Sequence, residues 1–216
     1  MNRVAAFEVT DDATIAGLIR DLAFAQVVTH GMDGFVTSSV PLLLDEPDDG
    51  PWRLRGHVAR SNPQAKIGRA EVPALVLFVG PHAYVSPSTY ATKAETGKVV
   101  PTWNYVEVHV HGTLRLTDDP GRTLAAVTDL TDVHEAGRAQ PWQVADAPDG
   151  YVDGLARGIV SFEVSVDRVE AKAKLSQNMS EADQMGVIAD LAERPGGASA
   201  IARAMRSGEF DRSPAH

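Results

Sequence analysis

The chain has 216 residues, 44% of them hydrophobic and 23% charged, which fits one folded domain with an appendage. It has no cysteine, which excludes disulfides, thiol nucleophiles, thiolate metal sites and iron–sulfur clusters and fits a reducing cytoplasm. A net charge of −9 opposes non-specific binding to polyanions, although residues 52–70 hold five basic side chains (Arg53, Arg55, Arg60, Lys66, Arg69) and no acid.

Residues 1–9 contain one Arg and no apolar segment, so no signal peptide is expected. Thr10-Asp11-Asp12 reads as a helix start, with the Thr10 hydroxyl as cap and acids near the positive end of the dipole. Ile15, Leu18, Ile19 and Leu22 then fall on one apolar face. A strand is predicted over 24–30, a turn at Gly31-Met32-Asp33-Gly34, and a return strand over 35–44. A loop of acids, Pro and Gly over 45–51 leads to a third strand over 52–58. Ser61-Asn62-Pro63 has the chemistry of a helix N-terminus.

The run 72–79 reads as a strand buried on both faces, and it is too short to span a bilayer. Gly80-Pro81-His82 interrupts it before it resumes over 83–86, and 87–100 forms a long loop. The longest predicted strand, 102–116, carries Val106, Val108 and Val110 on one face. Its other face carries Trp103, Tyr105, Glu107, His109 and His111. Asp118-Asp119-Pro120 opens a helix to about Val133, and 159–169 alternates as a strand. Ser180 with Asp183 resembles a capping box opening a helix to Leu191. Pro195-Gly196-Gly197 ends that helix, a short helix follows, and the tail from 207 to 216 is expected to be disordered. The fold expected is mainly β with peripheral helices, closed as a small barrel.

Four segments can carry chemistry. In Gly56-His57-Val58-Ala59-Arg60-Ser61-Asn62-Pro63-Gln64 a strand runs into a helix start. There, first-turn N–H groups such as those of Gln64 and Ala65, with Arg60 and Lys66, favour an anion such as phosphate. An ordinary capped helix with surface cations has the same sequence. Thr37-Ser38-Ser39-Val40-Pro41 reads as an edge strand or bulge, against which a flat heteroaromatic ring can lie. Trp103 and Tyr105 share a face that suits ring stacking, a subunit interface or a core. Lys172-Ala173-Lys174-Leu175-Ser176-Gln177-Asn178 is a basic loop that either reaches a ligand or simply connects elements. His109 and His111 lack a third metal ligand, and His30, His82 and His134 read as structural. No GxGxxG, Walker A or GxSxG motif occurs.

In this order, the segments resemble the PaiB-type FMN-binding negative transcriptional regulators. The matching residues are Pro41-Leu42-Leu43-Leu44, Gly56 through Gln64, Gly80-Pro81-His82-Ala83-Tyr84-Val85-Ser86-Pro87, Val100-Pro101-Thr102-Trp103-Asn104-Tyr105-Val106 and Lys174-Leu175-Ser176-Gln177-Asn178. The resemblance implies an FMN-binding split β-barrel similar to pyridoxamine-phosphate oxidases. It places that barrel over 1–178 and a helical appendage over 179–206, in a cytoplasmic homodimer with FMN between the subunits. By the same resemblance, Arg60, Ser61, Asn62 and Lys66 meet the phosphate, Ser38, Ser39 and Val40 line the isoalloxazine, and His57 lies beside it. Trp103, Asn104, Lys174 and Gln177 complete the cleft, some from the partner chain. No metal is expected, and no catalytic residue is assigned. A flavin-dependent regulator or sensor is expected, with a flavin oxidoreductase or a haem-binding barrel using His109 or His111 as alternatives. Direct DNA contact is not expected, because no helix carries a basic face.

Overall fold

The first helix shows how local chemistry sets a boundary. The computed structural model describes residues 1–2, 4–31, 34–67 and 71–208. Helix α1 (Asp12–Leu22) is capped by Asp11, whose Oδ2 accepts from the Thr14 N–H at 2.8 Å and from Thr14 Oγ1 at 2.7 Å. The expected Thr10 cap is therefore corrected. A carboxylate one residue later reaches the N3 amide with its full charge at the positive end of the helix. Ile15, Leu18 and Ile19 are buried as their spacing requires.

Among the described residues, seven strands follow the order β3-β2-β6-β7-β8-β5-β4, and an eighth, β1 (Glu8–Val9), pairs with β8. They are β2 (Phe24–Gly31), β3 (Gly34–Pro41), β4 (Leu43–Asp45), β5 (Arg53–Ala59), β6 (Val72–Val85), β7 (Thr102–Thr117) and β8 (Ile159–Lys174). The hairpin predicted around Gly31 forms as β2–β3, with Val27 opposite Ser38 and Gly31 opposite Gly34. Met32 and Asp33 of its turn lie outside the described residues, as do Arg69 and the tail 209–216.

Two predicted strands are corrected. The strand expected over 35–44 breaks at Leu42, whose N–H donates to Ala23 O at 2.8 Å while its side chain is buried. One residue thus separates β3 and β4, which end the strand order on opposite sides, so the margins of the sheet meet there. The interruption expected at Gly80-Pro81-His82 is instead a change of phase within one 14-residue strand, β6. Ala74, Val76, Phe78 and Gly80 are buried, then Ala83 and Val85. Nor is 72–79 buried on both faces, since Val79 is 58% exposed.

The chain forms two compact units, each discontinuous in sequence. One contains Met1–Leu22, Val79–Val108 and the residues from Glu170 onward. In it, α5 (Glu181–Ala192) and α6 (Gly197–Ser207) bury Val187, Leu191, Ile201 and Ala202. These helices therefore share a unit with α1. Ser207, expected in a disordered tail, is the last residue of α6. The long loop 87–100 holds a 3-10 turn (Pro87–Thr89) and α2 (Thr92–Thr96). Buried Asp183 secures it, accepting from the Thr92 N–H at 3.0 Å and from Thr92 Oγ1 at 2.7 Å. These bonds hold the Asp183 carboxyl below the usual carboxylate range.

The other unit contains Ala23–Phe78 and His109–Val169. Its core is built by alternation: Val27, Val40, Leu54, Val58, Val76, Val110, Phe162 and Val164 are all buried. Helices α3 (Pro120–Glu135) and α4 (Tyr151–Ala156) also belong to it. Arg55 of β5 joins three elements, bonding Asp45 at 2.5 and 2.9 Å and Asp129 of α3 at 2.7 Å.

Candidate functional site

The corner after β5 is a 3-10 turn, Pro63–Ile67, too short to be a helix with a free N-terminus. Asn62 shapes it. Its Oδ1 accepts from the Gln64 N–H at 2.8 Å, and its backbone carbonyl accepts from the Ala65 N–H at 3.0 Å. The Asn62 and Arg60 amides donate to Ala59 O and Gly158 O, each at 2.8 Å. The expected anion cradle of Gln64 and Ala65 amides is therefore corrected: these donors are consumed within the chain. The Asx-type cap that makes the turn stable is what removes them.

Arg60 is committed as well. Its Nε donates to Arg157 O at 3.0 Å, and its Nη2 donates to Asp118 Oδ1 at 3.0 Å and Ile159 O at 3.2 Å. With side chains 50% and 60% exposed, the Arg60–Asp118 pair contributes on the order of 0–1 kcal/mol. Ser61 and Lys66 are exposed on the same corner.

Asn62 Nδ2 donates to Ser38 Oγ at 2.9 Å, which ties the corner to β3, an edge strand of the sheet. Gln64, 1% exposed, reinforces the tie, with its Nε2 donating to Val27 O at 2.9 Å and Thr29 Oγ1 at 3.3 Å. Ser38 and Val40 are buried while Ser39 is exposed, so strand alternation divides the three between two faces. Their side chains do not line one surface together; their shared feature is the outer backbone margin of β3. The edge character expected from Pro41 is present, with Pro41 as the last residue of β3.

His57 lies on the face of β5 opposite buried Leu54, Gly56 and Val58 and faces Ser161 across the ladder. Its Nδ1 is buried with no partner among the described residues, and burial pushes the imidazole below its ordinary pKa. Gly56 is required here, because an added Cβ would meet Leu42 Cδ2 at 2.7 Å and Pro41 O at 3.1 Å.

The remaining predicted residues belong to the first unit. Trp103 is 53% exposed beside two rings, 5.9 Å from Tyr84 and 6.1 Å from His82. Asn104 is corrected from cleft to core: it is fully buried and bonds Ser176 Oγ at 2.9 Å. Its parity with Val106, Val108 and Val110 already assigned it inward. Gln177 braces its own turn, accepting from the Leu175 N–H at 2.7 Å and donating to Ala173 O at 2.6 Å. Ser176, at φ 63°, makes that turn possible. Lys174 Nζ donates to Thr102 Oγ1 and to Trp103 O, and burial, aided by Lys172, lowers its pKa. No metal-ligand cluster occurs among the described residues, and no described helix is long and apolar enough to cross a membrane.

A family model described as "Putative FMN-binding domain" matches residues 1–168. The Bacillus subtilis (strain 168) "Protease synthase and sporulation protein PAI 2" is 32% identical over 185 residues, spanning 86% of each chain. An uncharacterized protein of Emericella nidulans is 37% identical over 183 residues, covering 70% of this chain and 73% of that one. Among solved structures, the FAD and heme binding protein from Mycobacterium smegmatis superposes with a TM-score of 0.58 at 13% identity. That match covers 82% of this chain and 78% of that one. The flavocytochrome Anf3 from Azotobacter vinelandii gives 0.52 at 12% identity, covering 80% and 72%. These two likenesses show fold alone. The chain therefore belongs to the PaiB-type FMN-binding family, with the mainly antiparallel split-barrel fold and FMN as its cofactor.

Proposed function

We propose that the protein is a cytoplasmic flavin-dependent regulator or sensor, as membership of the PaiB-type FMN-binding family implies, and that it holds FMN at the corner joining β3 to the turn after β5. The carrying observation is the 2.9 Å bond from Asn62 to Ser38, which fixes the margin of an edge strand beside exposed Ser61 and Lys66. An edge strand has backbone donors and acceptors that no neighbouring strand takes up, and these suit the polar rim of an isoalloxazine. With the turn amides used, side chains must hold the phosphate. Lys66 and Ser61 supply a cation and a hydroxyl, and Arg60 adds its fork by exchanging Asp118 for the phosphate. Asn62 positions the corner. When bound, FMN supplies one- or two-electron redox chemistry; the protein supplies orientation and charge.

Asn104 and Gln177 are left out of this site because their polar atoms are used internally. Trp103 remains in it as a contributor from a second copy, and so does Lys174, whose ammonium has a third donor beyond those given to Thr102 and Trp103. The homodimer reading is supported by the exposed aromatic rings Phe24, Phe35 and Trp103. Direct DNA contact is not part of the proposal, given a net charge of −9.

Titration of flavin-free protein with FMN, read by quenching of flavin fluorescence, tests the site. Lys66→Ala should weaken binding by about 1.5–3 kcal/mol, the scale of a charge-assisted hydrogen bond. Unchanged affinity in the folded variant removes the corner from the reading. Steady consumption of NAD(P)H by the FMN-loaded protein would favour a flavin oxidoreductase over a sensor, and specific, salt-sensitive retention of a duplex in a gel shift would overturn the exclusion of direct DNA contact.

A further inference from the structure

Beside the flavin corner, the second unit contains a cleft of about 530 Å³ lined by Arg60 and Ala65 of that corner and by residues of β7, β8 and the start of α3. Its charged lining is balanced, with Arg60, Arg115 and Arg122 set against Asp118, Asp119 and Glu163. Half of these groups are occupied internally. Arg60 pairs with Asp118, and Asp119 caps α3 by accepting from the Arg122 N–H at 2.9 Å. The guanidinium groups of Arg115 and Arg122 and the carboxylate of Glu163 have no hydrogen bond or ion pair among the described residues.

The cleft therefore offers two uncommitted forks for an oxyanion and one uncommitted carboxylate for a cation. Guanidinium groups bind carboxylate oxygens in pairs, and a carboxylate accepts strongly from an ammonium. Balanced lining charge disfavours a polyanion such as a nucleotide polyphosphate and favours a ligand with both charges. The volume lies within the range of small-molecule sites. We propose that this cleft binds a small zwitterion, a free amino acid or short peptide, with its carboxylate on Arg115 and Arg122 and its ammonium on Glu163. Although the cleft borders the flavin corner at Arg60 and Ala65, the three groups assigned to the zwitterion are not among those assigned to the flavin, so it would give the protein a second chemical input.

The test uses the full chain loaded with FMN. Each free L-amino acid, and then diglycine, is screened by thermal shift, with acetate and methylamine as half-ligands, and hits are measured by calorimetry. The expected result is saturable binding of an amino acid or diglycine, weakened about tenfold or more by R115A, R122A and E163Q, with FMN affinity unchanged in all three. Arg115 and Arg122 are exposed, so their variants should fold, which circular dichroism verifies. Absence of binding by every probe overturns the proposal. So does equal binding of acetate, which would mean a simple anion site. Loss of FMN in R115A or R122A also overturns it, because the cleft would then be part of the flavin site. K66A separates the two readings, since it should weaken FMN binding about tenfold or more while leaving zwitterion binding unchanged.

Discussion

Replacing Asn62 separates the corner's contribution to folding from its contribution to the flavin. Asn62→Ala removes the cap on the Gln64 amide at 2.8 Å and the bond to Ser38 at 2.9 Å. A lost cap costs about 1 kcal/mol and a lost half-buried hydrogen bond about as much again. Together they give about 2 kcal/mol, or about 4–8 °C in Tm for a chain of this size. Asn62→Asp behaves differently. Its carboxylate still accepts from Gln64, and the Ser38 hydroxyl can turn to donate to it, so Tm should stay near wild type. The new charge would sit beside the proposed phosphate. Unit charges about 8 Å apart at an effective dielectric near about 40 repel by about 1 kcal/mol, and a phosphate monoester carries nearly two. FMN should therefore bind roughly thirtyfold more weakly to the Asp variant. Differential scanning calorimetry and FMN titration on both variants measure this. A wild-type Tm for Asn62→Ala would refute the capping argument, and wild-type FMN affinity for Asn62→Asp would refute the phosphate placement.

Gly112→Ala puts a Cβ 2.1 Å from Ser165 O, between β7 and β8, where neither backbone can yield easily. A loss of about 1–3 kcal/mol or more is expected in urea denaturation, and an unchanged midpoint would contradict the strand spacing. His57 is held neutral by burial, so the unfolded chain takes up its proton first. Stability should therefore decline as pH falls through 6.5, the ordinary imidazole value, and level off below the depressed folded one. His57→Gln should flatten that part of the Tm–pH profile; an unaltered slope assigns it to another group. Asp183→Asn keeps the shape of the side chain but removes the charge that holds Thr92. Limited proteolysis within 87–100 should accelerate, while equal cleavage rates would show that the segment is anchored elsewhere.

What could be read in advance follows the range of the forces involved. The period-2 alternation of β7 and the i, i+3, i+4 face of α1 are local signals, and both elements appear as expected. At Asn104 two signals diverge: its even parity places it with the valines of the core, the motif resemblance places it in the cleft, and its burial and its bond to Ser176 follow the parity. The break at Leu42 depends on an amide donating to Ala23, 19 positions earlier, and no window of sequence around 42 contains it. Arg60 shows the same limit, because its partners Asp118, Arg157 and Ile159 are brought in by β7 and β8. The corner was legible as a corner. Whether its amides were free was not, because a side-chain cap and an anion compete for the same N–H groups and both favour the same residues.

The single-residue link at Leu42 has a consequence for how the chain can vary in length. With its amide pinned to Ala23 and its side chain buried, the link has no slack, so adding or removing one residue between 41 and 43 would rotate β3 by half a pleat. Ser39 would then turn into the core and Ser38 out of it, unfastening Asn62 from the strand. Insertions in 47–50, by contrast, would lengthen only an open bend. Natural or engineered length changes should therefore collect in that bend and be absent from the link.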